Sequence, residues 1–248
     1  MNNKKILLIG DSCKDVFMYG RSTRLCPDAP VPVFITKEIK ENGGMAKNVF
    51  ENISSLGVNC EFITNKEEII KTRYIDKKTN HMFLRVDSGE EKIDRITVLK
   101  QINFLQYDAI VISDYDKGFL TEEDIEYICD NSKNVFIDTK KLLKQWYKKA
   151  KFIKINKPEF DKTKHLLDDL SNIIITLGNK GCIFRGNNYN VEKVEVKDTV
   201  GAGDTFLSCL VYKYIQTNNI EQSIEFANFC STKVVQHKGV VTIGSLLK

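Results

Sequence analysis

The 248 residues are 42% apolar and 28% charged, enough to bury the core of one large domain. A formal net charge of +4 is mild: it helps attract a phosphorylated substrate but falls short of the basic stripe of a nucleic-acid binder. Seven scattered cysteines without a C-x-x-C pair argue against a zinc module and read as small buried hydrophobes in a reducing compartment.

The opening MNNKKILLIGD has too short an apolar run for a signal peptide or a bilayer span, so a cytoplasmic protein with no membrane partner is expected. Within it, Lys5 to Gly10 reads as a buried strand that delivers Asp11 to its carboxyl end, where open α/β sheets bind ligands. Pro30 and Pro32 cannot donate to a central ladder, so APVPVFI is an edge strand or a flap. Gly43-Gly44 breaks the chain, and Val49, Ile53 and Leu56 give the next helix a core face that Gly57 ends.

Asn59 to Thr64 is predicted as a short strand, and Thr72 to Val86 as a hairpin about a Lys-Lys-Thr-Asn turn. Ile93 to Leu105 has helical spacing, Asp108 to Ser113 is a buried strand, and Thr121 with Asp124 opens a helix as a weak capping box. A strand NVFIDTK, a helix over 142–149 and a strand FIKIN follow, and Pro158 starts a helix at its first position. Strands NIIITLG, GCIFRG and YNVEKVEV precede the helix after Gly203, and a last helix runs from Glu221 to His237. The strand–helix alternation from Asp108 to Gly178 calls for a parallel sheet covered by helices. Segments 16–40 and 72–87 break that alternation and suit a small β-flap over the strand ends, within a single domain of residues 1–248.

Chemistry concentrates in DTVGAGDTFLSCLVYKYI, from Asp198 to Ile215. Gly203-Asp204 hands a turn over to a helix, whose first amides lack internal partners and form an anion site. Asp204 at its mouth either caps the helix or faces an incoming hydroxyl and takes its proton while the amides hold a phosphoryl group.

The same stretch resembles D-T-x-G-A-G-D, the signature of the ribokinase-like (PfkB) sugar kinases. The resemblance implies a three-layer α/β fold with a lid, Asp204 as catalytic base, and Gly201, Ala202 and Gly203 as the anion hole. Gly43, Gly44 and Asn48 match the family's sugar-binding G-G-x-x-x-N, with Asp11 accepting sugar hydroxyls; read alone they are a turn and a strand-end cap. Asn156 and Glu159 match N-x-x-E, which implies a role in organising Mg²⁺; read alone they are a helix start. Thr176, Gly178 and Gly181 resemble T-L-G-x-x-G, where ATP phosphates pass, and Asn228, Lys238 and Gly239 resemble the adenine wall. ATP and Mg²⁺ are thus the implied cofactors; many members also take a monovalent cation, and many pair as homodimers through the lid.

The first flap further resembles the heptose-7-phosphate kinase subgroup, whose opening carries G-D-x-x-x-D, a Tyr-Gly and R-x-(S/C)-P-(E/D)-A-P-V-P-V. The matching residues are Asp11, Asp15, Tyr19, Gly20, Arg24, Pro27, Asp28, Ala29 and Pro30. Ser113-Asp114-Tyr115 with Lys117, Asp138 with Lys140, and Arg85 with Asp87 agree with that subgroup's S-D-Y-x-K-G, I-D-P-K and R-x-D. A heptose 7-phosphate carries its dianion far from the C1 hydroxyl, so basic residues away from Asp204 are expected from Arg21, Arg24, Arg85, Lys117 and Lys140. Val16 stands where the subgroup has a basic residue, residues 59–72 are short for a strand-helix-strand unit, and no nucleotidyltransferase segment lies within these residues. A dinucleotide-binding oxidoreductase fits poorly, since G-x-G-x-x-G after the first strand is missing, and so is a P-loop. A non-catalytic sugar- or nucleotide-binding relative is the other alternative.

Overall fold

The structure is a computed structural model that describes residues 4–91 and 93–247. Strand β1 (Lys5–Gly10) lies between β4 (Asn59–Ile63) and β7 (Ala109–Asp114), and the sheet continues through β8 (Val135–Thr139), β9 (Phe152–Asn156) and β10 (Ile173–Thr176). These six strands are parallel; the short β11 (Cys182–Phe184) and β12 (Asn187–Tyr189) add an antiparallel edge. Side chains on a strand alternate between faces, and β1 divides accordingly. Ile6 and Leu8 join one apolar layer with Val111, Phe136 and Phe152, while Leu7 and Ile9 join the other with Ile110, Ile112 and Ile137.

Helices α1 (Ala46–Ser55), α4 (Ala202–Thr217) and α5 (Ile220–Val234) cover the first face. Helix α4 is packed against the sheet and its helical neighbours, which explains why Phe206, Leu207, Cys209, Leu210 and Val211 are all buried around most of its circumference. Truncating Leu207, which is wholly buried, to alanine would cost about 2–5 kcal/mol. The second face is covered by α2 (Glu122–Asp130), α3 (Lys157–Thr163) and short 3₁₀ turns.

A second, four-stranded sheet has the order β3 (Pro32–Met45), β2 (Ser12–Leu25), β5 (Ile70–Asp76), β6 (Met82–Ser88). It is the β-lid, and Pro32 opens its edge strand, where a missing N–H costs no ladder bond. Phe17, Tyr19 and Ile75 on the lid pack with Val200 and Val240 beside the Gly-rich loop.

Four expectations need correction. Residues 93–105 form no α-helix, only 3₁₀ turns at Leu99–Gln101 and Phe104–Gln106. Ile93, Ile96, Leu99 and Ile102 recur every third residue, a period that fits a tighter winding than 3.6. The stretch 142–149 holds only a 3₁₀ turn, Gln145–Lys149, because Leu143 is tied into the core by the hydrogen bond its backbone N–H donates to Thr163 Oγ1. Beyond Tyr189 the chain leaves the sheet, so NVEKVEV is not a strand. Pro158 is the second residue of α3, after the Asn156 cap and Lys157.

Candidate active site

Parallel register aligns Gly10, Ser113, Asp138 and Lys154 in one row across four strands, at the carboxyl end of the face covered by α4. The apolar face therefore becomes polar where α4 begins. Gly201, in the left-handed region at φ 79°, turns the chain into the helix. A Cβ at Gly201 would lie 2.7 Å from Asn48 Nδ2, and one at Gly203 would lie 3.0 Å from Lys154 Nζ, so both glycines admit polar side chains close to the backbone.

Asp204 occupies the first turn of α4 with only 7% of its surface exposed. One carboxylate oxygen, Oδ2, accepts a 2.8 Å hydrogen bond from Asn48 Nδ2; the other, Oδ1, accepts one of 2.8 Å from the Tyr115 hydroxyl. Burial pushes its pKa up to about 6, against the lowering effect of those two donors. Gly201 is the cap residue and Asp204 the third residue of the helix, with its carboxylate bonded to Asn48 and Tyr115. The Ala202 amide turns back to the Thr199 carbonyl at 3.3 Å, which leaves the amides of Gly203 and Asp204 as the open donors of the first turn. Below them Lys154 and Asp138 form a buried 2.5 Å ion pair.

Asp11 follows β1 and is almost wholly buried. Its Oδ2 accepts the Tyr115 backbone amide at 2.7 Å, while Oδ1 has no protein partner. Burial and the neighbouring Asp114 raise its pKa to about 6. Gly44 is glycine because a Cβ there would strike Asp15 Oδ2 at 2.3 Å and Cys13 Sγ at 2.6 Å, and at Gly43 it would meet Lys47 at 2.2 Å. The structure thus brings together Asp11, Asp15, Gly44, Asn48, Gly201 and Asp204.

On the lid, β2 pairs Asp15 with Lys71 on β5, and β5 pairs Arg73 with Arg85 on β6. Arg73 bonds Asp15 at 2.5 Å, Arg85 grips Asp87 through two bonds, and Lys71 and Lys117 both pair with Glu90. Of this basic cluster, sequence reasoning named Arg85 and Lys117 and missed Lys71 and Arg73; their alternation along KTRYID was the available signal. Cys13 packs with Tyr115 and lies with Asp15 around Gly44: burial pushes its thiol up to about 12, and the charges of Asp15, Lys71, Arg73 and Asp204 all act on it. Arg24 stands apart on the exposed outer part of β2, and Arg21 lines a lid groove with Lys37 and Asp76. Lys140 bonds Glu159 and covers the Tyr115 ring at 5.2 Å from its centroid, so it does not belong to the lid cluster.

Asn156 and Glu159 cap α3 reciprocally: Asn156 Oδ1 accepts the Glu159 amide at 2.9 Å and Glu159 Oε2 accepts the Asn156 amide at 2.8 Å. Thr176 pairs in register with Cys182, and Asn228 reaches Cys182 Sγ and the Tyr189 carbonyl. Gly178 and Gly181 sit at φ 60° and 81° in the turn between β10 and β11. Asn228 also lines a cavity of about 580 Å³ between α5 and residues 187–192, with Phe229 and Thr232 on its helical wall. Lys238 is exposed; the Gly239 amide beside it is held by Asp198, whose other oxygen holds Val200 of the Gly-rich loop. The part played by Asp198 was missed, as was the Lys154–Asp138 pair, although a lysine inside the apolar FIKIN strand signalled it.

Residues 43–245 match the pfkB family of carbohydrate kinases. A protein of Nitratiruptor sp. named Bifunctional protein HldE is 30% identical over 293 aligned positions, covering 96% of this chain and 63% of the relative. Its namesake in Helicobacter pylori strain J99 is also 30% identical, with 95% and 64% covered. The chain therefore spans somewhat less than two thirds of the length of these relatives. Among solved structures, Arabidopsis thaliana ribokinase complexed with ribose and ATP superposes with a TM-score of 0.72 at 12% identity, covering 98% and 96% of the two chains. A nucleoside kinase of Methanocaldococcus jannaschii gives 0.71 at 18% identity, covering 98% and 97%. With an α/β sheet under a β-lid, an aspartate at the start of the Gly-Ala-Gly-Asp helix and a family match over most of its length, the chain belongs to the pfkB family of carbohydrate kinases.

Proposed function

We propose that this ATP-dependent sugar kinase transfers the γ-phosphoryl group to the C1 hydroxyl of D-glycero-D-manno-heptose 7-phosphate, giving the 1,7-bisphosphate. The observation that carries this substrate is the basic cluster of Lys71, Arg73, Arg85 and Lys117 on the lid, paired with Asp15, Asp87 and Glu90 rather than with Asp204. Charge-assisted contacts of that kind are worth about 1.5–3 kcal/mol each, enough to choose a sugar phosphate over the free sugar. The relatives' match adds support, since it takes in 96% of the chain and so extends to the flap that precedes residue 43.

Asp204 takes the proton of the C1 hydroxyl as its oxygen attacks the γ-phosphorus and the bond to the bridging oxygen of ADP breaks. The amides of Gly203 and Asp204 face the transferring group, and Lys154 adds positive charge beneath them. Asp11, through its unpartnered Oδ1, with Gly43, Gly44, Asn48 and Asp15, holds the sugar hydroxyls. ATP lies from Thr176, Gly178 and Gly181 toward the cavity at Asn228, near the turn of Lys238 and Gly239 where a monovalent cation is also proposed. Mg²⁺, when bound, neutralises charge on the phosphates. Both oxygens of Glu159 are engaged by Asn156 and Lys140, so the N-x-x-E pair suits a hydrated Mg²⁺ held through water.

All seven cysteines are free, which fits a reducing cytoplasm, and no helix among the described residues is long and apolar enough to cross a membrane. Ile39, Leu84 and Val86 leave apolar surface exposed on the lid, which favours a homodimer through it; sedimentation would report a monomer if that is wrong.

The test is ADP release from MgATP with heptose 7-phosphate, free heptose, fructose 6-phosphate, ribose or buffer. Turnover confined to heptose 7-phosphate supports the reading; preference for another sugar overturns the substrate. Asp204→Asn should lose about 10²–10⁴-fold in kcat while still binding MgATP, and an active variant would remove Asp204 as base.

A further inference from the structure

Tyr115 touches both carboxylates of the site. Its backbone amide donates to Asp11 Oδ2 at 2.7 Å and its hydroxyl donates to Asp204 Oδ1 at 2.8 Å. The other Asp204 oxygen accepts from Asn48 at 2.8 Å; each oxygen keeps a second lone pair, but with the residue only 7% exposed a hydroxyl that is to hand its proton to Asp204 needs the space that one of these two donors fills. Asn48 is fixed by helix α1 and its neighbour Asn52, whereas Tyr115 follows β7 in a turn that continues through Asp116 at φ 57° and Gly118 at φ 103°. Among the described residues the Tyr115 hydroxyl bonds Asp204 alone while its ring packs beside Cys13, Met45 and Ile69, so it is the less tied of the two donors.

We propose that Tyr115 is a positioning residue whose hydroxyl stands in for the acceptor hydroxyl on Asp204, keeping water off the base until a sugar arrives and displaces it. The inference rests on the reading of Asp204 as the base. Without sugar, a water in that position would give its proton to Asp204 and attack the γ-phosphorus, releasing ADP and inorganic phosphate. A phenolic hydroxyl there can bond the carboxylate but is held by its own ring away from an attacking line. Sugar arrival couples to its departure through Asp11: a sugar hydroxyl donating to the unpartnered Oδ1 sits on the same carboxylate that anchors the Tyr115 amide. The Lys140 ammonium over the Tyr115 ring supports the ring without needing its hydroxyl.

The variant is Tyr115→Phe, which keeps the ring, and a thermal melt with and without MgATP establishes that it is folded. Sugar-free MgATP hydrolysis should rise by about tenfold or more, a fraction of the usual effect of a positioned base. The acid limb of kcat/KM for heptose 7-phosphate, which reports the free enzyme, should move to higher pH because a donor to the carboxylate is gone. The limb of kcat should stay, since in the ternary complex the hydroxyl has already left. Asp138 on β8, Lys154 on β9, Lys140 beyond β8 and Cys13 on β2 also face Asp204, and all are unchanged in this variant. Unchanged hydrolysis, or an equal shift of both limbs, would overturn the proposal. If Tyr115→Phe/Asp204→Asn hydrolyses ATP as fast as Tyr115→Phe alone, the base itself is misassigned, and the failure lies with the earlier reading.

Discussion

Lys154 and Asp138 form a 2.5 Å ion pair in which each side chain is only 5% exposed, directly beneath Gly203. Removing one partner leaves the other as an uncompensated buried charge. Lys154→Met should therefore destabilise the protein by about 3–5 kcal/mol in urea unfolding, whereas Lys154→Met with Asp138→Leu should recover most of that loss. A single variant that costs less than about 1 kcal/mol would mean the pair is solvated in solution.

Asp204 should make activity and stability respond oppositely to pH. Its carboxyl, raised by burial from 3.8 to about 6, must be ionised to act, so kcat/KM should fall about tenfold per pH unit below that value. The folded state holds its proton more tightly than the unfolded chain, so this group's stabilising contribution is complete below pH 3.8 and is lost as pH rises through 6. Asp204→Asn should then melt above the parent at pH 8, with the gap narrowing toward pH 5. A gap that widens on acidification would contradict the raised value.

Gly201 is constrained twice, by its left-handed backbone and by Asn48. Gly201→Ala should cost about 1–3 kcal/mol from backbone strain alone. Its methyl also pushes on Asn48 Nδ2, which holds Asp204, so kcat should fall while MgATP affinity changes little. Single-turnover measurements separate the two; an unaltered kcat would mean Asn48 can shift without moving Asp204.

On the lid, Arg73→Ala and Arg85→Ala should each raise KM for the sugar phosphate by roughly ten- to a hundredfold, the equivalent of one charge-assisted contact. Turnover of the corresponding free sugar should change far less. Equal losses on both substrates would mean that these arginines shape the lid through Asp15 and Asp87 instead.

The sequence was most readable where local physics settles the outcome. The apolar run KILLIG could only be a buried strand, and Gly201 and Gly203 before Asp204 marked the loop and helix start that the fold uses. It misled at 93–105, where apolar spacing of three passed for helical spacing, and at 142–149, where Thr163 holds the backbone of Leu143. Lys71, Arg73 and Lys154 escaped notice because their meaning depends on strand register, which no local pattern fixes. The Asn156–Glu159 pair was legible as a helix start, and the two side chains cap α3 reciprocally. The link between β4 and β5 is only six residues, 64–69, too short for the helix that a strand-helix-strand unit needs.

The lid ribbon is rooted in the site at both of its ends. Strand β2 leaves immediately after Asp11, and β3 returns through Gly43 and Gly44 straight into the helix that bears Asn48. The root is pinned by the Ser12 amide on Asn65 at 2.7 Å and by the Ala46 amide on the Asp11 carbonyl at 2.9 Å. With 14 residues in each strand at about 3.3 Å per residue, the ribbon is a lever arm of about 45 Å. A rotation of only a few degrees at that fulcrum, no more than a shift in how Asp11 and Gly44 grip a sugar, carries the far tip through several ångströms. A spectroscopic label near Arg24 would read the occupancy of the sugar site as a magnified displacement.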